Sequence, residues 1–268
     1  MYEEIGNEDQ SSLYSDVTEA GGLGPAIQTQ LKAIGSPLCV TKEAPELAGL
    51  FPFAWERVEQ KQRSSQISIA KHKRLFMLDF WDRGVCLAHG STPLLPKIAE
   101  AINAWIAKEV STGELQQQFP FVGVEPKAES HEQGAAAEVE QKWQALYSHF
   151  KSDESKLALA PLIERVMEVP VLRRLFPFTS LDSLCFSRCT GYPFSGDCPS
   201  VCSTHFRFAP RPTPGQRATF GPPRPYTVAD SKGIFLGEGD VAEAIELIVQ
   251  HLPPNCGPAS QGTADDLC

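Results

Sequence analysis

Asp79, Asp82, Arg83 and His89 place two carboxylates, a cation and an imidazole in one short stretch of chain. An imidazole changes charge near neutral pH, and a neighbouring carboxylate can orient it, so this set has the makings of an acid–base site for a small molecule. Phe80-Trp81 could supply an aromatic wall. Against catalysis stands a plainer reading. Asp82-Arg83-Gly84 is good turn chemistry, and Asp230-Ser231-Lys232-Gly233 repeats the turn without the rest of the cluster, which favours structure.

Sulfur offers a second set. Cys185, Cys189, Cys198 and Cys202 read C-x3-C-x8-C-x3-C, and four thiolates can hold a structural zinc tetrahedrally, with His205, His72 or His89 able to replace one. The three-residue spacing departs from the commoner two-residue knuckle, so buried thiols acting as small hydrophobes are the competing expectation. Cys189 is also the better nucleophile candidate, since it follows Arg188, precedes a Gly191-Tyr192-Pro193 turn and has His205 downstream as a base. Gly237-Glu238-Gly239-Asp240 before a helix is not a phosphate loop, because its carboxylates would repel the anion and no Walker or dinucleotide pattern is completed. Arg207, Arg211, Arg217 and Arg224 fall in or near a Pro-rich interval expected as a surface loop. No motif requires a cofactor, and zinc on the four cysteines is the metal the sequence admits.

The elements that would position these groups follow from periodicity. Residues 1–24 are expected as a flexible acidic tail and 257–268 as a C-terminal tail around one compact body, 25–256. Within it, Leu-x-x-x-Phe-Pro-Phe occurs at Leu47–Phe53, Leu115–Phe121 and Leu172–Phe178. Leucine and the first phenylalanine share a helix face and proline stops the helix, so the pattern predicts a helix end held by two buried rings. After the first copy come strands over 66–70, 74–81 and 85–88, then a helix with Leu95, Ile98, Ala99, Ile102, Trp105 and Ile106 on one stripe, capped by Ser91 or Thr92. After the third copy come strands over 184–186, 204–208, 226–229 and 234–236, then a helix capped by Asp240. Arg83-Gly84-Val85 aligns with Lys232-Gly233-Ile234, and the apolar strand, second glycine and helix follow in register. The expected fold is therefore α+β, with two similar strand-turn-strand-helix units, about 47–108 and 172–252, in a pseudo-duplicated body around a helical segment, about 129–169.

Composition narrows the function classes. Hydrophobic residues make up 42% of 268, ample for a core. Lys plus Arg total 24 against 33 Asp plus Glu, and a formal charge of -9 gives no general attraction to nucleic acid or an anionic membrane. No export signal or membrane-length apolar run is read, so the cytoplasm is the expected location.

Arg74–Val85, Leu175–Ser180, Leu184–Gly191 and the ending Gly262–Leu267 resemble a bacterial family of unknown function labelled natural-product biosynthesis protein. The resemblance implies similarity over most of the chain after about residue 45 and a bacterial accessory protein, and it supplies no catalytic residues. The expected function is accessory or protein-interacting, linked to specialised metabolism or toxin neutralisation, with a protein partner and room for a small-molecule ligand. The alternative is a small-molecule enzyme using Asp79, Asp82, Arg83 and His89, or Cys189 with Arg188.

Overall fold

The structure, a computed structural model, describes residues 12–41, 55–152, 158–181, 183–204 and 224–267. The chain divides into two compact units, Met1–Ala128 and Glu129–Cys268. The α+β class holds, since helices accompany an antiparallel sheet in each unit.

The first unit opens with helices α1 (Ser15–Glu19) and α2 (Leu23–Ala33), inside the segment expected as a tail. What overturns that expectation for residues 12–24 is Tyr14, which is 2% exposed and packs edge-to-face on Phe76 at 5.5 Å. Six antiparallel strands follow in chain order: β1 (Val40–Thr41), β2 (Trp55–Gln60), β3 (Arg63–Ile69), β4 (Phe76–Asp82), β5 (Val85–Thr92) and β6 (Val122–Val124). Period-two alternation is clearest on β4, where Phe76, Leu78 and Phe80 are buried while Met77, Asp79 and Trp81 point the other way. β4 and β5 are joined by Arg83-Gly84 with φ of 48° and 77°, the doubly positive geometry of a tight hairpin.

Between β5 and β6 run α3 (Leu95–Ile102), a π-helical turn (Asn103–Ala107) and α4 (Thr112–Gln118). The expected apolar stripe is buried throughout. Its expected cap is not formed: β5 extends through Thr92, and the helix starts after Leu94 with no side-chain cap. Arg63 sits over the Trp105 ring at 3.9 Å and donates to the Trp105 and Val110 carbonyls at 2.9 and 2.7 Å, which satisfies groups the π turn frees.

In the second unit the expected helical segment opens with α5 (Ala128–Gln133) and α6 (Ala135–Ser152), separated at Gly134 with φ 107°. After α7 (Ala160–Val166) and α8 (Pro170–Arg173) come β7 (Phe176–Ser180), β8 (Ser183–Ser187), β9 (Ser200–Ser203), β10 (Tyr226–Ala229) and β11 (Phe235–Gly239), an antiparallel meander, and α9 (Val241–Gln250). Trp143 anchors α6, its indole N–H shared between the Arg173 and Leu175 carbonyls at 3.0 and 3.1 Å. Residues 205–208 of one expected strand lie outside the described residues, and β9 forms just before them.

Two copies of the Phe-Pro-Phe pattern can be followed. Phe119 ends α4, its N–H bonded to the Leu115 carbonyl at 2.9 Å, and Phe121 meets it edge-to-face before β6. Phe176 instead starts β7, and Phe178 stacks on Phe194 at 4.7 Å. The copy at 47–53 lies outside the described residues. The expected duplication is not confirmed: β4–β5 and β10–β11 are both hairpins that run into a helix, but β5 is an inner strand of six and β11 an edge strand of five.

Candidate functional site

Asp79 and His89 face each other across β4 and β5, and His89 Nδ1 lies 2.7 Å from Asp79 Oδ1. β6 flanks the other side, and Glu125, just beyond it, puts Oε1 3.1 Å from His89 Nε2. The Glu125 N–H donates to the Leu87 carbonyl at 2.8 Å, which fixes where that side chain starts. Each ring nitrogen therefore meets a carboxylate. A neutral imidazole has one N–H, so it can donate to only one of them.

Cys86 completes this cluster through a backbone irregularity. Three residues apart on a regular strand, Cys86 and His89 would point to opposite faces. The register shifts between Phe80 and Trp81: Phe80 pairs with Ala88, Trp81 with Cys86, and Leu87 is the extra residue. That bulge returns Cys86 to the face carrying Asp79 and His89. Its Sγ lies 3.8 Å from Nδ1 and 3.7 Å from Nε2, so it aligns with neither nitrogen lone pair. Burial, reinforced by the Asp79 charge, pushes the thiol up to about 11, with Lys127 acting the other way. At neutral pH the group is a thiol, poorly suited to attack an electrophile.

The other members of the predicted acid–base set are elsewhere. Asp82 Oδ2 lies 3.9 Å from Arg63 Nε, and Arg83 forms the hairpin turn and donates to Gln62 Oε1 at 2.6 Å. They stand at the turn end of the hairpin. Sequence reasoning missed Cys86 because alternation assigns it to the wrong face, and Glu125 because it arrives just beyond β6, distant in sequence.

The four cysteines of the zinc pattern disperse. Cys185 is on β8 and Cys202 on β9, while the Cys198 thiol is hydrogen-bonded to Cys256. Among the described residues, no three of the four bring their sulfur atoms within 4.8 Å of one another. Burial raises Cys185 to about 11 and also raises Cys198 and Cys202. Cys189 is fully buried, 3.3 Å from Ser187 Oγ and 3.7 Å from the Gly191 and Pro193 carbonyls. Arg188 turns to Asp197, with Nε and Nη2 at 2.8 and 2.5 Å from Oδ2, so its geometry serves that carboxylate. His205, Arg207, Arg211 and Arg217 lie outside the described residues.

A second constellation was not foreseen. Between β11 and α9 lies an open cavity of about 550 Å³, lined by Glu238, Glu243, Glu246 and Gln250, with Phe235, Leu236 and Leu247 as its apolar part. Arg224 enters it, donating to the Glu238 carbonyl at 2.7 Å and lying 3.6 Å from Glu243. On α9, Glu243, Glu246, Leu247 and Gln250 recur at helical spacing on this side, while Ala244 and Ile248 face the core. The glycines of Gly237-Glu238-Gly239-Asp240 explain the tightness of the junction. A Cβ on Gly237 would come 2.8 Å from Leu247 Cδ1, and one on Gly239 would come 2.4 Å from Glu243 Cβ. Asp240 caps α9 as expected, accepting from the Ala242 and Glu243 N–H groups, and Glu243 reaches back to the Asp240 N–H at 3.0 Å.

Residues 137–213 match a family of unknown function, DUF6193. No curated protein and no solved structure matches the chain. The DUF6193 match begins within α6 and contains the four cysteines, Arg188 and Asp197. It is narrower than the resemblance implied: Asp79, Cys86, His89 and the cavity beside α9 all fall outside it. Among the described residues, no helix is long and apolar enough to cross a membrane.

Inside the DUF6193 match, the Arg188–Asp197 pair has a testable pH signature. Burial works to raise the Asp197 carboxyl, but hydrogen bonds from Arg188 and Ser195 outweigh it and leave it below the ordinary range. A carboxyl depressed in the folded state stabilises above its unfolded pKa and loses that contribution as pH falls through the folded value. The Tm difference between the parent and Asp197→Asn should therefore shrink as pH falls from about 5 to 2. A difference independent of pH over that range would show that the pair contributes no charge-linked stability.

Proposed function

We propose that this is an accessory protein that binds a protein partner through the acidic cavity beside α9, and that the partner presents a basic segment. The observation that carries the reading is the lining: three glutamates at the surface around apolar Phe235, Leu236 and Leu247. A lysine or arginine side chain suits both parts, its methylene stem on the apolar floor and its cation against the carboxylates. Among the described residues the lining sets carboxylates against apolar side chains, a surface suited to recognising a cationic group. The chain's net charge of -9 favours encounter with a basic partner. The resemblance at Leu175–Ser180 and Leu184–Gly191 makes bacterial specialised metabolism, or neutralisation of a toxin, the setting in which to seek it.

Affinity capture with the intact protein and with a Glu238→Lys/Glu246→Lys variant, followed by mass spectrometry, tests this. Partners enriched by the parent should be lost from the variant, and a direct titration should show binding weakened roughly a hundredfold or more, as for charge reversal at close pairs. Identical partners and affinities for both proteins would remove the cavity from the proposal.

One observation supports a second reading, a small-molecule enzyme: the 2.7 Å contact of Asp79 with His89 is the orienting contact of an acid–base pair. On this reading Asp79 and His89 are the reacting pair, and Asp82 and Arg83 stand at the turn end of the hairpin. Turnover that survives both Asp79→Asn and His89→Gln would sink it.

A further inference from the structure

We infer that Asp79, Cys86 and His89 form a binding site for a zinc-class divalent metal ion, with Glu125 as the positioning residue behind the imidazole. Their candidate ligand atoms all lie within 4.8 Å of one another. Thiolate, imidazole and carboxylate together suit zinc or cobalt(II) and not magnesium or calcium, which take all-oxygen sets.

The distances favour a shared ion. Around a tetrahedral zinc with bonds of roughly 2.3 Å to sulfur and 2.0–2.1 Å to nitrogen, those two ligands stand about 3.5 Å apart. Cys86 Sγ stands 3.8 Å from His89 Nδ1. Asp79 and Nδ1, now 2.7 Å apart in a hydrogen bond, need to open by only about half an ångström to flank an ion. The off-axis thiol shows what must move: the sulfur donates to the Ala88 carbonyl at 3.7 Å and stands nearly equidistant from both ring nitrogens, so the imidazole turns to point Nδ1 between sulfur and Oδ1 when an ion joins all three.

The surroundings fit as well. A metal-bound histidine usually gives its remaining N–H to a carboxylate that fixes the tautomer and ring angle. Glu125, 3.1 Å from Nε2, stands where that carboxylate belongs. The bulge at Leu87 supplies the one departure from strand geometry that the set requires. Binding releases the Cys86 thiol proton to solvent, while the neutral imidazole keeps its single N–H on Nε2, toward Glu125, and presents the Nδ1 lone pair to the ion. His89 and Asp79 side chains are 51% and 41% exposed, so an ion held by these three ligands keeps a fourth position open to water or to a ligand atom.

Cobalt(II) titration of the intact reduced protein tests the inference, because a cysteine ligand adds a sulfur-to-cobalt charge-transfer absorption. One cobalt per chain with that band is expected, with zinc displacing it. Cys86→Ser should abolish the band, His89→Ala should weaken binding by roughly a hundredfold, and Glu125→Gln should weaken it by about 10- to 100-fold without removing the band. Absence of the band in the parent, or its persistence in Cys86→Ser because other cysteines hold the ion, would overturn the site. Should a variant fail to fold, the parent alone decides: X-ray absorption of the zinc-loaded parent should show one sulfur among nitrogen and oxygen neighbours, and a shell with no sulfur or with several sulfurs would refute the assignment.

Discussion

Tyr14→Ala should destabilise the first unit by about 3–5 kcal/mol, the range for deleting a buried aromatic ring. Tyr14 is 2% exposed and has two attachments that fail together. Its ring packs on Phe76, whose own burial is complete. Its hydroxyl lies 2.9 Å from the Ala70 and Lys73 carbonyls and 3.1 Å from that of Leu75, and it accepts the Leu75 N–H at 3.0 Å. One hydroxyl proton serves one carbonyl at a time, so the chief loss in Tyr14→Phe is a single donated bond and the acceptor for Leu75, about 1–3 kcal/mol. Alongside, Arg74 grips Asp16 with both terminal nitrogens, at 2.7 and 2.8 Å, which joins the same helix to the approach of β4. Urea unfolding of both variants, with exposed Ser15→Ala as a control expected within about 0.5 kcal/mol of the parent, measures the series. A loss below about 1 kcal/mol for Tyr14→Ala would mean that α1 contributes little to the fold.

Tyr14 also shows where sequence reading stops. Residues 12–20 carry too few apolar positions to announce a docked helix, and one aromatic among polar neighbours has no period. Its partners are carbonyls at 70–75, and carbonyls leave no trace in residue type. By contrast, the stripe from Leu95 to Ile106 and the alternation of Phe76, Leu78 and Phe80 were legible because burial on one face imposes a period. Gly84 and Gly233 were legible as turns for the same local reason, since both need positive φ, at 77° and 78°.

Legibility of the candidate site divides along the same line. Asp79 and His89 could be nominated from the sequence by residue type, and strand pairing then brings them opposite. Asp82 and Arg83 were nominated with them by proximity in sequence, which cannot separate the middle of a hairpin from its turn. Cys86 required knowledge of a one-residue bulge, and a bulge reverses the face of everything beyond it. The C-x3-C-x8-C-x3-C spacing misled for a related reason: regular spacing brings ligands together only in a suitable loop, whereas here β8 and β9 carry Cys185 and Cys202. In the cavity beside α9, the carboxylates that argued against phosphate are the feature that defines its chemistry.

The largest expected effect in the second unit belongs to Glu138→Ala. Glu138 and His131 are 6% and 3% exposed, and their Oε1 and Nδ1 atoms are 3.2 Å apart across the helix break at Gly134. Gln261 brings the C-terminal segment into the same place: its amide donates to the His131 carbonyl at 2.6 Å and to Glu138 Oε1 at 2.7 Å. From there the segment pairs with the stretch after β8, with Ser260 accepting the Thr190 N–H at 3.1 Å and Gly262 that of Gly191 at 2.7 Å. Removing the carboxylate takes the acceptor from the Gln261 amide and the charge from beside the buried His131 ring, and breaking a buried pair from one side costs about 3–5 kcal/mol. Glu138→Gln keeps an oxygen for Gln261 and should cost about half as much or less. Hydrogen exchange adds a local readout: in Glu138→Ala the Thr190 and Gly191 amides should exchange faster than those of β10. Equal small losses for both substitutions, with unchanged exchange at Thr190 and Gly191, would show that Glu138 does not hold the C-terminal segment and that its docking rests on the backbone pairing alone.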